Sequence, residues 1–172
     1  MNIFLPYEHD IDKSVESLDD RRLIKQILEC HQLLNNAIKE KNGEEIKGYK
    51  NHPIYLHYKK NISFLIEYGI QACREYCHRF QKKHNLYDTF TNLFFEYDKG
   101  LGVMWYVPFY MQGSKYKPDC IRTTHYVSKL YQNKLCEKWN NDKLKGRPPK
   151  WTNREIPSFY KEIIGEQRDE MV

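Results

Sequence analysis

A mainly α-helical fold is predicted: one compact helical domain with irregular loops, covering residues 1–172. Three observations lead there. Leu23, Ile27, Leu34 and Ile38 recur at helical spacing in the first third of the chain. A longer apolar stripe, Tyr58, Ile62, Leu65, Ile66, Gly69, Cys73, Tyr76 and Phe80, does the same in the second. With 172 residues, 40% of them hydrophobic and 30% charged, the chain is long enough for one sizeable core and too apolar to stay disordered.

The elements follow in order. Residues 2–7, "NIFLPY", form a short apolar arm closed by Pro6, expected to pack against the body. Ser17 or Asp19 caps the first helix, with acid in its first turn, and that helix fades near Asn42-Gly43. "GYKNHP" (48–53) is a polar turn in which Asn51 or His52 caps and Pro53 takes the first helical position. One long central helix then carries the second stripe as core. Residues 86–97 predict a shorter helix, and 100–114, with Gly at both ends, a partly buried loop or extended chain. A helix from about Asp119 to Trp139 follows. The Pro-, Gly- and Lys-rich residues 140–172 predict a wrapping tail, anchored by Trp151, Phe159 and Tyr160, with a short last helix.

The net charge of +5 permits a nucleic-acid partner and equally suits plain solubility. Five cysteines, Cys30, Cys73, Cys77, Cys120 and Cys136, are an odd number without the spacing of a secreted disulfide scaffold. "CREYCH" puts Cys73 and Cys77 one turn apart, but a zinc site wants a second tight pair, and only Cys120 with His125 could be pressed into that role. Buried free thiols and no metal are expected. The N-terminus lacks a basic leader and no stretch is long enough to span a bilayer, so a cytoplasmic protein with no membrane partner is expected.

The polar face of the first helix draws attention. Arg22 and Glu29 lie about 20° apart around it, with Lys25 and Gln26 between them and Gln32 and Asn36 beyond. One reading is a solvated face with an i,i+4 Lys25–Glu29 pair, a contact of a few tenths of a kcal/mol. The other is chemical. A carboxylate can stabilise the cation that forms on a sugar as its bond to a base breaks, and can move a proton, while Arg21, Arg22 and Lys25 hold the flanking phosphates. Lys50, Asn51 and His52 of the "GYKNHP" turn can meet phosphate as well as serve a helix cap. "KLKGRPPKW" (143–151) interleaves basic and aromatic residues, which suits a nucleic-acid groove and also suits a solvated loop anchored by Trp151.

"NIFLPYEHDIDKSVESLDDRRLIKQILECHQLL" followed by "GYKNHP" resembles the pyrimidine-dimer DNA glycosylase family of the endonuclease V type. It is most similar to the divergent phage and bacterial branch with an "L-D-D-[KR]-R-L-x-K-Q" helix and a "K-N-H-P" turn. The resemblance covers about residues 2–70. "TTHYVSKLYQNKL" (123–135) loosely resembles a His-containing helix of that branch, and "KWTNREIPSFY" (150–160) its chain ending.

The resemblance implies a compact, mostly helical, endonuclease V-like domain that removes a base from damaged DNA and then nicks the strand, with no metal or other cofactor. It implies Glu29 as the catalytic acid, and the chain's own α-amino group as the nucleophile that forms a Schiff base with the sugar. Asn2 is bulkier than the residues that permit removal of an initiator Met, so that amine belongs to Met1, or to Asn2 after trimming. Arg21, Arg22 and Lys25 fall in the region where the family holds the phosphates; Lys50, Asn51 and His52 join them in positioning the strand on the glycosylase reading, and His125 stands between a pocket-facing polar group and a buried structural histidine. The residue before the Glu, basic in the studied members, is Leu28 here. An extra aromatic segment at 86–118 can reshape the pocket.

The reading that follows is a DNA N-glycosylase, with or without lyase activity, acting on damaged or modified pyrimidines in double-stranded DNA. An N-glycosidic enzyme acting on nucleotides or a phage-type modified base, and a nucleic-acid-binding protein without catalysis, stand as alternatives.

Overall fold

The computed structural model describes residues 3–7, 10–46, 48–98 and 125–162, with Asp98, His125 and Tyr126 described by backbone alone. Six longer elements are laid out among them, α1 (Ile11–Glu16), α2 (Asp20–Lys41), α3 (Pro53–Tyr58), α4 (Ile62–Phe80), α5 (Tyr87–Asp98) and α6 (His125–Leu144), and residues 158–162 are also helical, as the short last helix predicted for the tail. No strand occurs among the described residues. The expected loop at 100–114 and helix start at 119–124 lie outside them.

α2 and α4 run antiparallel at the centre. The Arg79 Nη1 donates to the Leu18 carbonyl at 2.7 Å, Tyr68 reaches Gln26 at 3.0 Å, and the Cys30 thiol donates to the Leu65 carbonyl at 3.0 Å, so rising numbers on one helix meet falling numbers on the other. The two apolar stripes face each other here, and their side chains join one continuous core with Ile3, Phe4, Leu5, Phe90, Leu135, Trp139, Phe159 and Tyr160. Burial pushes the thiols of Cys73 and Cys136 up to about 12 and about 11, as inert core groups.

Three boundaries differ from expectation, each for a local reason. A short helix, α1, precedes the one predicted first. Asp10 caps it, its carboxylate accepting from Lys13 N at 2.8 Å. The long central helix is broken in two. Asn61 donates its side-chain amide to the His57 carbonyl and its backbone N–H to the Tyr58 carbonyl, closing α3 and becoming the N-cap of α4, as asparagine's local hydrogen bonding favours. α6 runs past Trp139 to Leu144, because Asn140 accepts from the Tyr160 hydroxyl and Asp142 pairs with Arg22. Gly146, at φ +67°, then supplies the left-handed turn that ends it.

The arm and the tail both lie on the α2/α4 pair. Ile3, Phe4, Leu5 and Pro6 are buried, and Gln132 of α6 donates to the Pro6 carbonyl at 2.9 Å. The tail crosses the start of α2. The Asp20 N–H donates to the Lys150 carbonyl, Trp151 Nε1 to the Ser17 carbonyl at 2.9 Å, and Thr152 to the Asp20 carboxylate. Trp139, fully buried, donates to Asp19 Oδ1 at 2.7 Å and lies edge-on to Trp151. Trp151 is therefore an anchor of the fold.

α5 seats Phe90 against the one glycine of α4. A Cβ on Gly69 would fall inside the Phe90 ring, whose other side meets His31 edge-on at 6.0 Å. Gly69→Ala is expected to destabilise by about 1–3 kcal/mol, against the gain in helix propensity. Urea denaturation reads this directly; an unchanged or raised midpoint would mean that Phe90 is not fixed there.

Candidate active site

Glu29 lies midway along α2 with its side chain 12% exposed, close to solvent but held. Gln26, one turn earlier, is buried and does the holding. Its Oε1 accepts from the Phe4 N–H at 3.0 Å and lies 3.0 Å from the Tyr68 hydroxyl. Both neighbours are donors, so the amide oxygen faces them and the Nε2 is directed at Glu29 Oε2, 3.1 Å away. The Tyr68 hydroxyl also lies 3.3 Å from the Phe4 carbonyl. Burial, then the neighbouring Cys30, Tyr58, Tyr131 and Glu29, push its pKa well above the usual range, so it stays a neutral donor. One side-chain amide thus fixes both the carboxylate and the arm that begins the described chain.

Around that core the cations divide. Lys25 is 69% exposed with its Nζ 3.7 Å from Glu29, and Arg21 is 52% exposed with Nη1 3.5 Å from Asp142. Arg22 is held more tightly. It is 12% exposed, with Nη1 2.9 Å from Asp19 and Nη2 2.7 Å from Asp142, and it braces α2 against α6. Arg22 hydrogen bonding, with Arg21 and Lys145 nearby, holds the Asp142 carboxyl below the usual range. The exposed basic residues of 143–150 thereby lie at the same end of α2 as Arg21.

The 48–53 turn meets the same face of α2 two turns beyond Glu29, where Asn36 donates to the Gly48 carbonyl at 3.4 Å. Lys50 and Asn51 are exposed. His52 is the N-cap of α3, its Nδ1 accepting from Ile54 N at 3.2 Å. Met1, Asn2 and the side chain of His125 lie outside the described residues. Among the described residues no group of three or more His, Cys, Asp or Glu side chains could hold a metal ion, and no helix is long and apolar enough to cross a membrane.

Arg21, Lys25 and Glu29 thus share one face, with Lys50 and Asn51 on the turn beside its far part, and the described arm at Phe4 is bonded to the same Gln26 that holds the acid. A family model described as pyrimidine dimer DNA glycosylase matches residues 1–88. The chain belongs to this family. Searches of curated proteins and of solved structures return no match. The matched span holds the arm, Arg21, Lys25, Gln26, Glu29, the 48–53 turn and Tyr68, and stops short of α6 and the tail. A DNA glycosylase acts on DNA by cleaving a base–sugar bond, chemistry for which a held carboxylate is a suitable kind of group.

Gln26 and Tyr68 are the residues that sequence reading missed. Gln26 counted as part of the polar face, yet Leu23, Gln26, Ile27 and Cys30 follow i, i+3, i+4, i+7, which puts the amide on the buried stripe. That spacing was the available signal. Tyr68 gave none, because a core tyrosine and a hydrogen-bonding one look alike in sequence.

Proposed function

We propose that the protein removes a damaged or modified pyrimidine from double-stranded DNA and then cleaves the strand at the resulting abasic site, acting in the cytoplasm of a cell or of a virus-infected host. Glu29 stabilises the positive charge on the sugar as the base departs. The α-amino group of Met1, or of Asn2 once Met1 is removed, attacks the sugar C1′. The C1′–base bond breaks, the base leaves with the electron pair and takes up a proton, and opening of the sugar ring gives the Schiff base. An α-amine has a pKa near 8, so a useful fraction is unprotonated at neutral pH. Arg21 and Lys25 take the phosphates beside the reacting sugar, and Lys50, Asn51, His52 and His125 guide the strand beyond it. Arg22 serves by keeping α2 in place, and a phosphate would have to compete there with Asp142.

The observation that carries this reading is the Gln26 clamp. The Phe4 nitrogen and the Glu29 carboxylate are bonded to the two ends of one amide group. The arm that leads to the proposed amine and the acid are thus held by one side chain, as a mechanism in which both act on one sugar requires.

Borohydride reduction tests the mechanism. The protein is mixed with a duplex carrying a pyrimidine dimer and, separately, with one carrying an abasic site, and covalent complexes are resolved by mass. Trapping on both is the expected result, with the adduct on the N-terminal peptide. Trapping on the abasic site alone would assign lyase chemistry with a different target base. No trapping on either would remove the amine mechanism and leave Glu29 to activate water.

A further inference from the structure

We infer that Ile24 and Leu28 form an apolar wedge that enters the DNA base stack beside the nucleotide on which Glu29 acts; this rests on the glycosylase reading above. Leu28 is 47% exposed and Ile24 38%, on a helix where Leu23, Ile27, Leu33 and Leu34 are fully buried and Ile38 is partly buried against the core. The two are four residues apart and so stand one above the other on α2. Counting about 100° per residue from Leu28, Arg21 lies near 20°, Lys25 near 60° and Glu29 near 100°. The exposed sector therefore reads, in order around the helix, as an apolar ridge, a cationic strip and the carboxylate.

A single exposed leucine would need no explanation. This ridge differs because it borders two exposed cations and adjoins the acid. A polyanion adds partners to the exposed sides of Arg21 and Lys25, whereas an apolar protein partner would strip water from their pairs with Asp142 and Glu29 at a desolvation cost. What DNA offers to an aliphatic ridge is the gap between base planes. A base must leave the stack for its sugar bond to be reached, and branched aliphatic side chains inserted between base steps stabilise the opened form. Leu28 is also dispensable to the fold, since truncating an exposed side chain opens no core cavity.

The test uses the full chain and a duplex carrying a thymine dimer, with 2-aminopurine placed next to the lesion so that unstacking raises its fluorescence. Glu29→Gln serves as the background, so no base is released during the reading. The expected result is a several-fold rise with Glu29→Gln alone, and loss of most of that rise when Leu28→Ala is added. Affinity, measured by anisotropy, should change less than about threefold, because positioning comes from phosphate contacts. Leu28→Met should keep the rise. In the otherwise wild-type chain, Leu28→Ala should slow base release at least about tenfold, since the wedge acts only in the opened state. An undiminished rise with Leu28→Ala, or binding without any rise, would overturn the wedge and leave the glycosylase reading standing. Loss of affinity in step with fluorescence would make Leu28 an ordinary contact and overturn it too. Failure to bind the duplex at all would overturn both.

Discussion

Glu29→Gln should lower base release by about 10³-fold or more, because the charge that stabilises the sugar cation is removed while the shape is kept. The fold should not notice. Gln26 Nε2, which donates to Glu29 Oε2, finds an amide oxygen in its place. The Lys25 partner is 69% exposed, and exposed pairs of this kind are worth at most about 1 kcal/mol. Duplex binding should hold or strengthen slightly, since one negative charge leaves a face that meets phosphate. Single-turnover base release, with anisotropy on the same duplex, checks both parts. Release within tenfold of wild type would reduce Glu29 to an ordinary acid on a helix face.

Arg79→Ala should cost about 3–5 kcal/mol of folding stability, the scale for breaking a buried ion pair and leaving its partners behind. The guanidinium is fully buried. Its Nε donates to Glu75 at 2.6 Å, Nη1 to the Leu18 carbonyl at 2.7 Å and Asp20 at 3.0 Å, and Nη2 to the Glu16 carbonyl at 2.9 Å. It ties the end of α4 to the end of α1 and the start of α2. A urea midpoint lowered by about 1 M or more is expected, and a shift within experimental error would show that these bonds contribute nothing net. Lysine should not rescue it, since one ammonium cannot reproduce the planar fork.

The same network carries a pH signature. Burial pushes the Glu75 carboxyl up, but Arg154 and Arg79 more than offset this and hold it below the usual carboxylate range. A carboxyl depressed in the folded state stabilises fully above its unfolded pKa, about 4.3, and that contribution is lost as pH falls through the folded value. Arg79→Ala leaves Glu75 with Arg154 alone, so acid unfolding should begin at higher pH than in wild type. The start of α2 is about 14 Å from Glu29 along the helix axis, so base release per folded molecule should change little.

What could be read from sequence was local. The stripe of Leu23, Ile27 and Leu34 gave α2, Pro53 behind His52 gave the start of α3, and "GYKNHP" gave the turn at its correct place. Glu29 and its exposed cations Arg21 and Lys25 lie on one helix, so their common face follows from 3.6 residues per turn. The break at Asn61 was missed because the apolar stripe runs on in phase across it, and periodicity does not register one side chain bonding back to the His57 carbonyl.

The remaining assignments depend on partners distant in the chain. Arg21 and Arg22 are neighbours of identical type and both approach Asp142, 120 residues beyond Arg22, yet Arg21 stays half-exposed at 3.5 Å while Arg22 is held against it at 2.7 Å. Trp151 could have been a base-stacking residue, and its bond to the Ser17 carbonyl makes it an anchor instead. Gln26 became the link between arm and acid only when Phe4 and Tyr68 converged on it from 22 and 42 residues away. Helical geometry fixes which residues share a face, and the sequence therefore carries that information whole. Whether a polar residue on that face meets water, a phosphate or a buried partner depends on which segments pack over it, and only the folded chain brings those segments together.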